Sequence, residues 1–280
     1  RILTVDRQQI VVTAVLGGLV LLALALYASP FFWQALTSVR PDAELLPLTQ
    51  ILPSRLTWVH YDVVFRQSLM PRALVNSLGI ALLSTLLAVG LGALAAYALA
   101  RLPVRGRGVI LLAMIAATAF PQIATVSPLY LLMRALGLRD TWLALILANV
   151  SFTLPLVIWL LAGFIREIPH ALEEAAAVDG ADRLAILRWV VLPLVAPGMA
   201  SAALLAFLFS WNEFLFAYSF TATEASRTVP VALALFPGVF EVPWGDIAAA
   251  SILASVPPVL IVIGLQRWLV RGLLAGALTE

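Results

Sequence analysis

The sequence predicts an all-α membrane protein that crosses the bilayer six times. Of its 280 residues, 62% are hydrophobic and only 11% are charged, whereas charged residues make up about a quarter of an average soluble domain. The apolar residues lie in long continuous runs, as transmembrane helices require, and not in the short alternating segments of a transmembrane barrel. We therefore treat residues 1–280 as a single polytopic transmembrane domain.

Six apolar segments are long enough to cross a bilayer core about 30 Å thick, which takes roughly 20 helical residues. They cover residues 10–33, 73–100, 108–135, 141–165, 194–220 and 247–270, with approximate bounds. The first is longer than the apolar region of a typical signal peptide, so we expect a retained first span.

Prolines and small residues predict local features of these spans. Pro121, followed by Gln122, predicts a break in the third span, and Pro155 predicts a kink or an unwound turn in the fourth. Gly92 and residues 96 and 100, both alanine, recur at every fourth position of the second span. Small residues at this spacing indicate close helix packing.

The arginines predict that the N-terminus lies in the cytoplasm. All 17 basic residues are arginine, and in this orientation ten of them, including Arg101, Arg105 and Arg107, lie on the cytoplasmic side. Four of the other seven lie in the long segment 34–72, and long loops weigh less in the positive-inside rule. The segment 166–193 between the fourth and fifth spans is then cytoplasmic.

The composition argues against several kinds of site on this chain. Without lysine, a G-x-x-x-x-G-K-[ST] phosphate-binding loop cannot be present, so any ATP hydrolysis belongs to a separate chain. Cysteine is absent, and the two histidines, His60 and His170, lie in different kinds of segment. Nor is there a Ser/His, Asp/Asp or His-rich constellation typical of an intramembrane enzyme. We expect no catalytic residue, bound metal or cofactor, and no nucleic-acid partner.

The cytoplasmic segment contains the sequence EEAAAVDGADRLAILRWVVLP at residues 173–193. Pro169 suits the first turn of a helix, and Glu173 and Glu174 follow where negative charge is compatible with the positive end of the helix dipole. Four nearby alanines favour a slim helix, and Gly180 permits the left-handed residue that ends it. The pattern predicts a short, bent helical segment shaped to dock into a groove of another protein.

The spacing of this segment resembles the EAA loop of ABC importer membrane subunits. The matching residues are Glu174, Ala175, Ala176, Gly180, Val190, Leu192 and Pro193, with valine at 190 where the family most often has isoleucine. Three further stretches resemble the carbohydrate branch of that family, which includes the maltose-type transporters. They are FPQIATVSPLYLLMRALGL (120–138), WNEFLFA (211–217) and RWLVRGLLAGA (267–277). The resemblance extends over about residues 60–277.

The resemblance implies a non-catalytic membrane subunit of an ATP-driven importer for a sugar or oligosaccharide, in a bacterial or archaeal cell membrane. It implies a second homologous membrane subunit, two copies of an ABC ATPase that bind ATP and Mg, and an extracytoplasmic solute-binding protein. The helix of the EAA loop would be the coupling helix that docks into the ATPase. The docking residues it implies are Glu173, Glu174, Ala175, Ala176, Asp179 and Gly180.

The resemblance also implies a contact on the opposite face of the membrane. In maltose-type systems a loop in the position of residues 228–243 reaches into the binding protein. We expect this loop to make that contact through Phe236, Pro237, Gly238 and Phe240.

Polar residues inside the spans are candidates for a substrate pathway, because an ionisable group at membrane depth is costly and usually functional. The candidates are Asn149, Trp211, Asn212 and Glu213. Two alternatives stay open. Asn212 and Glu213 could instead hold helices or subunits together by hydrogen bonds, and Asn149 could equally serve helix packing. Glu213 could also be the coupling carboxylate of an ion-coupled secondary transporter, which the EAA loop disfavours and which gradient dependence would reveal.

Overall fold

The computed structural model describes residues 7–46, 50–236 and 242–277. Every regular element within these ranges is helical, which confirms the predicted all-α class. In chain order the helices are α1 (Arg7–Ser38), α2 (Val59–Gln67), α3 (Met70–Arg101), α4 (Arg107–Thr118), α5 (Gln122–Ala135), α6 (Trp142–Glu167), α7 (His170–Val178), α8 (Arg183–Leu194), α9 (Ala196–Asn212), α10 (Leu215–Phe220), α11 (Val229–Ala234) and α12 (Trp244–Ala277).

Four helical segments are long and apolar enough to cross a membrane by themselves. They are Val15–Ser38, Met70–Arg101, Trp142–Glu167 and Trp244–Arg267. Two further spans would each be a bent pair of helices, α4 with α5 at 92° and α8 with α9 at 79°. Counted in this way, the described residues have up to six candidate spans, but the second bent pair covers Arg183–Leu194 and Ala196–Asn212 and not the predicted 194–220. The break between α4 and α5 lies directly before Gln122, where Pro121 predicted it.

Two expectations about helix continuity need correction. Pro155 lies inside the continuous helix α6, so the unwound turn is not formed there and only the kink stays a prediction; a transmembrane helix tolerates such a proline when neighbouring groups compensate for the lost backbone bond. The predicted fifth span, 194–220, is not one helix, because α9 ends at Asn212 and α10 begins at Leu215. The Glu213 carboxylate accepts hydrogen bonds from the Phe216 and Ala217 backbone N–H groups, at 2.7 and 3.0 Å. A new helix can therefore start there with its first donors satisfied.

The described chain divides into two compact units. The first comprises residues up to Ser68 together with residues 236–253, and the second comprises Leu69–Leu235 and the residues from Ala254. A buried histidine holds the first unit together. His60 Nδ1 lies 2.7 Å from Asp246 Oδ1, and Nε2 lies 2.9 Å from the Arg40 carbonyl oxygen. The ring thus joins α2 to the first turn of α12.

The second unit is built on the packing of α3 against α6. Gly92 is buried, and a Cβ atom at this position would lie 2.6 Å from Val157 Cγ1. Ala96 and Ala100 are also buried, in the same apolar core. The close packing predicted from the small residues of this helix is confirmed. Helix α9 approaches α6 in the same way, since a Cβ at Gly198 would lie 2.5 Å from the Phe164 ring.

This contact predicts opposite effects for two glycines of α3. Gly92→Ala should destabilise the chain by about 1–3 kcal/mol, because the new methyl group overlaps Val157 in a packed interface. Gly90 is exposed and a Cβ there meets nothing within 4 Å, so Gly90→Ala should be neutral or stabilising by up to about 1 kcal/mol through helix propensity. Unfolding midpoints of the purified variants in detergent measure both effects. Equal midpoints for the two variants would contradict the prediction.

Candidate functional site

Helix α7 lies between α6 and α8 and ends as the sequence predicts. Pro169 precedes its first residue, and Gly180 has a φ of +89°. The Ala181 N–H donates to the Ala176 carbonyl oxygen at 3.0 Å, which is typical of a glycine-terminated helix. A short helix with a fixed exit is the result.

The two faces of α7 have different surroundings. Residues 171, 174, 175 and 178 follow the i, i+3, i+4, i+7 spacing of a single helix face, and all four are exposed. We call them the outer face; its members are Ala171, Glu174, Ala175 and Val178. Among them, Val178 is 86% exposed. On the opposite side Glu173 is buried, and Ala176 is half-buried against the apolar core.

The six predicted docking residues therefore do not share one surface. Glu174, Ala175, Asp179 and Gly180 are exposed, and their docking role stays a prediction. Glu173 is only 9% exposed and lines a groove of about 470 Å³ together with Glu174. Its docking role also stays a prediction. Adjacent helical residues lie about 100° apart, so two neighbouring glutamates necessarily point in different directions.

Glu173 is held by the end of α3. Its Oε1 lies 2.5 Å from Arg101 Nε, and the two side chains are only 11% and 4% exposed. Tyr97 donates its hydroxyl to Glu173 Oε2 at 3.3 Å. Arg101 also donates to the Ile168 carbonyl oxygen at 2.6 Å and lies 3.1 Å from His170 Nε2. Sequence reasoning missed this cluster, although an arginine at the end of an apolar run was a signal for it.

A cavity of about 250 Å³ lies among α4, α5, α6, α9 and α10. Its lining includes two of the predicted pathway residues, Asn149 and Glu213, and the full set is Thr118, Gln122, Asn149, Phe152, Thr153, Leu156, Phe209, Glu213 and Phe216. Asn149 donates to Ser210 Oγ at 2.7 Å. Amide, hydroxyl and carboxylate groups thus face a small space with aromatic walls. A pathway role for these residues stays a prediction.

The other two pathway candidates are placed differently. Asn212 lines a neighbouring groove of about 490 Å³ and donates to the Leu208 carbonyl oxygen at 2.8 Å. Trp211 is 4% exposed, and its ring stacks on Phe207 with 5.7 Å between centroids. The structure therefore does not bring Trp211 to the cavity. Gln122 lines both the cavity and the groove, although the sequence indicated it only as part of a helix break.

At the other end of the second unit, one aspartate organises the segment 221–228. Asp140 Oδ1 accepts hydrogen bonds from the Ala222 and Thr223 backbone N–H groups and from the Ser226 hydroxyl, at 2.9, 3.1 and 2.5 Å. Its Oδ2 accepts the Thr223 hydroxyl at 2.7 Å. Burial alone would raise the pKa of Asp140, but the hydrogen bonds from Ser226 and Thr223 hold this pKa well below the usual carboxyl value.

A second anchor fixes the same segment from α3. The Asn76 amide donates to the Glu224 and Arg227 carbonyl oxygens at 3.0 and 2.8 Å. Its oxygen accepts the Trp142 indole N–H at 3.1 Å. Of the predicted binding-protein contacts, Phe236 is half-buried, whereas Pro237, Gly238 and Phe240 lie outside the described residues.

No group of three or more His, Asp or Glu side chains in the described ranges is arranged to hold a metal ion. Both histidines have protein partners instead. His60 contacts Asp246, and His170 contacts Arg101.

Comparison with known proteins gives a consistent set of relatives. The family model described as "Binding-protein-dependent transport system inner membrane component" matches residues 88–275. The trehalose transport system permease protein SugB of Mycobacterium tuberculosis (strain CDC 1551 / Oshkosh) is 45% identical over 250 residues, which are 89% of this chain and 91% of that protein. The trehalose/maltose transport system permease protein MalG of Thermococcus litoralis is 38% identical over 267 residues, or 94% and 95% of the two chains.

A solved structure has the same fold. It is the crystal structure of a bacterial ABC transporter involved in the import of the acidic polysaccharide alginate. One of its chains superposes with a TM-score of 0.77 at 22% identity, covering 95% of this chain and 99% of that one.

Asp140 generates a prediction about the segment that it anchors. Asp140→Asn removes the charge that strengthens its hydrogen bonds, and bonds to charged groups contribute about 1.5–3 kcal/mol. Because 1.4 kcal/mol is a factor of ten, trypsin should cleave after Arg227 roughly tenfold faster in this variant. The attachment of the segment should also depend on pH. Because the pKa of Asp140 is lowered in the folded protein, its charged carboxylate stabilises the segment fully above the usual carboxyl pKa of about 4. This stabilisation is lost as the pH falls through the folded-state pKa.

Glu224→Gln is the matched control, because Glu224 is an exposed acid in the same segment. It should be cleaved at the parental rate. Parental cleavage of Asp140→Asn at neutral pH would show that the Asp140 charge does not hold the segment.

Proposed function

This chain belongs to the family of binding-protein-dependent transport system inner membrane components, and we propose that it carries a sugar or oligosaccharide as half of an ATP-driven importer. The cargo is proposed from the relatives, whose names refer to trehalose and to trehalose and maltose. The partners are a second homologous membrane subunit, two copies of an ABC ATPase with bound ATP and Mg, and an extracytoplasmic solute-binding protein. The chain itself has no catalytic role in this proposal.

The observation that carries the ATPase proposal is the outer face of α7. Two alanines there, Ala171 and Ala175, allow another surface to approach the helix closely, and Glu174 adds a negative charge. Leu172 and Val178 of the same helix, which is part of no candidate span, are 45% and 86% exposed. Exposed apolar surface on such a helix favours a protein partner. The lack of lysine, which the usual phosphate-binding loop needs, supports the proposal that a separate partner hydrolyses the ATP.

The arginine distribution supports the proposed orientation, with the N-terminus and α7 in the cytoplasm. The segment 221–228 and the loop that follows it then face the binding protein. Asp140 and Asn76 prepare this surface by fixing the backbone of the segment that leads into the loop.

We propose that the cavity next to Glu213 contributes to the sugar pathway. Its Asn149, Thr153 and Gln122 side chains offer hydrogen-bonding groups, and Phe152 offers an aromatic wall. Uncharged polyols are bound by such combinations of polar groups and apolar surfaces. The ion-coupled alternative is disfavoured by family membership, and the hydrogen bonds from Phe216 and Ala217 give the Glu213 carboxylate a structural task without proton coupling.

The docking proposal is tested at Ala175. Ala175→Trp should weaken the association with the ATPase roughly tenfold or more, because overpacking a close contact costs about 1–3 kcal/mol and 1.4 kcal/mol is a factor of ten. Co-purification and ATP-dependent uptake in proteoliposomes measure the effect. Ala43→Trp is the control, since Ala43 is also exposed but lies on the proposed extracytoplasmic side. Full ATPase retention by Ala175→Trp would remove the main support for docking through α7.

Glu213 is tested by a pair of substitutions. Glu213→Gln keeps an oxygen that can cap α10, whereas Glu213→Ala leaves its first donors without their acceptor at a cost of about 0.5–2 kcal/mol. If the carboxylate serves the pathway, both variants assemble and both transport less sugar, and this is the result we expect. If it only caps the helix, Gln behaves as the parent and Ala loses assembly. Parental uptake by both variants would exclude both roles.

A further inference from the structure

We infer that the Arg101–Glu173 pair is the link through which displacement of α7 moves α3, so that both residues position the transport pathway and neither binds the ATPase. This inference rests on the proposed function, because it assumes that an ATPase displaces α7. It differs from the docking role implied by the sequence, in which Glu173 was one of the contacts to the partner.

The pair is largely buried in the wall of a groove that Glu174 also lines, and it does not belong to the outer face. Glu173 lies on the side of α7 opposite the outer face. Its side chain is 11% exposed, whereas Val178 on the outer face is an 86% exposed residue. Its two carboxylate oxygens face different groups of α3, Arg101 and Tyr97. These two residues are four apart on the helix and therefore lie on the same face.

Arg101 contacts the whole start of α7 and not Glu173 alone. Its guanidinium donates to the Ile168 carbonyl oxygen, lies against the His170 ring and pairs with Glu173. Residues 168–173 are thus attached at three points to the last residue of α3. Arg101 and Tyr97 are therefore two points at which a force applied to α7 reaches α3, in addition to the apolar packing of Ala176 against the core that contains Ala96 and Ala100.

Separation of this pair would leave two poorly solvated charges. Removing one partner of a buried ion pair is strongly unfavourable, because the remaining charge has lost water without compensation. The pair therefore resists any motion of α7 away from α3. The two elements should move together when an external surface pulls or pushes on the outer face.

The motion has a defined route beyond α3. Helix α3 packs tightly on α6 at Gly92 and Val157, and α6 carries Asn149 and Thr153 into the cavity. Packed helices with no free space transmit displacement. A shift of the Arg101 end of α3 should therefore change the cavity next to Glu213.

The test uses the complete reconstituted importer with its ATPase and binding protein. Glu173→Gln removes the buried charge, and Glu174→Gln removes the adjacent exposed charge as the matched control. Three quantities are measured for each variant: the amount of ATPase retained, the rate of ATP hydrolysis, and the sugar transported per ATP. ATP-dependent uptake by the parent complex is established first, and its absence would contradict the proposed function and not this inference.

Glu173→Gln should retain the ATPase but transport roughly fivefold less sugar per ATP, the lower end of the coupling between sites found in proteins. Glu174→Gln should show the opposite pattern, with less ATPase retained and an unchanged ratio in the complexes that remain. Loss of the ATPase from Glu173→Gln as from Glu174→Gln would overturn the inference. So would a parental ratio of sugar to ATP in Glu173→Gln.

If Glu173→Gln folds poorly, variants that exchange the charges of Arg101 and Glu173 test the inference instead. Arg101→Glu alone places two acids together and should lower the amount of sugar transported per ATP further than Glu173→Gln does. Arg101→Glu combined with Glu173→Arg restores an ion pair and should raise the sugar transported per ATP part of the way back to the parental value. Recovery is only partial, because the bond to the Ile168 carbonyl oxygen is lost. A double variant that does not assemble, or that transports no more sugar per ATP than Arg101→Glu, overturns the inference.

Discussion

A bilayer core offers no water to a free peptide group, and this constraint determines where the helices of this chain can end. At Glu213 the helix stops, and the side chain of the same residue supplies the acceptor for the donors of the next helix. At Pro121 the break coincides with a residue that has no N–H to satisfy. Pro155 lacks the same donor but lies in a helix packed on both α3 and α9, and there the helix continues. The cavity is lined by Phe209, Glu213 and Phe216 from both sides of the break between α9 and α10, so the interruption that needs a cap also borders the cavity.

Polar clusters at the two ends of the second unit each attach a short segment to a long helix. Asp140 accepts four hydrogen bonds from one short segment, and Arg101 contacts residues at the start of α7. Each cluster attaches a segment without a large apolar core to a helix that has one. Directed polar contacts fix the orientation of such a segment more strictly than apolar packing does, because a hydrogen bond weakens steeply when its geometry changes. Both clusters also lie next to surfaces for which the proposed function requires a partner.

The sequence determined the helical class, the approximate spans and the end of α7, because these depend on local properties. Apolar run length defines a span, and Gly180 needs no distant neighbour to adopt a positive φ. What could not be predicted depends on residues far apart in the chain. Whether Glu173 or Glu174 turns inward is decided by Arg101, some seventy residues earlier. Trp211 resembled a pathway residue by its neighbours in sequence, but its place against Phe207 follows from the packing of α9. Hydropathy also could not reveal that residues 194–220 form separate helices, since the polar Asn212 and Glu213 at the second break are flanked by long apolar runs.

The two glutamates of α7 show how a helix of nine residues can serve two attachments at once. Such a helix has fewer than three turns, so it presents one strip to its own chain and one to the outside. If both glutamates pointed outward, α7 would be attached to its chain mainly by Ala176 and the residues at its two ends. A partner could then displace it without moving α3. If both pointed inward, the outer face would lose its only charge. One buried and one exposed carboxylate is the arrangement that the proposed coupling requires: Glu174 is left to a partner, while Glu173 is held by Arg101 at 2.5 Å.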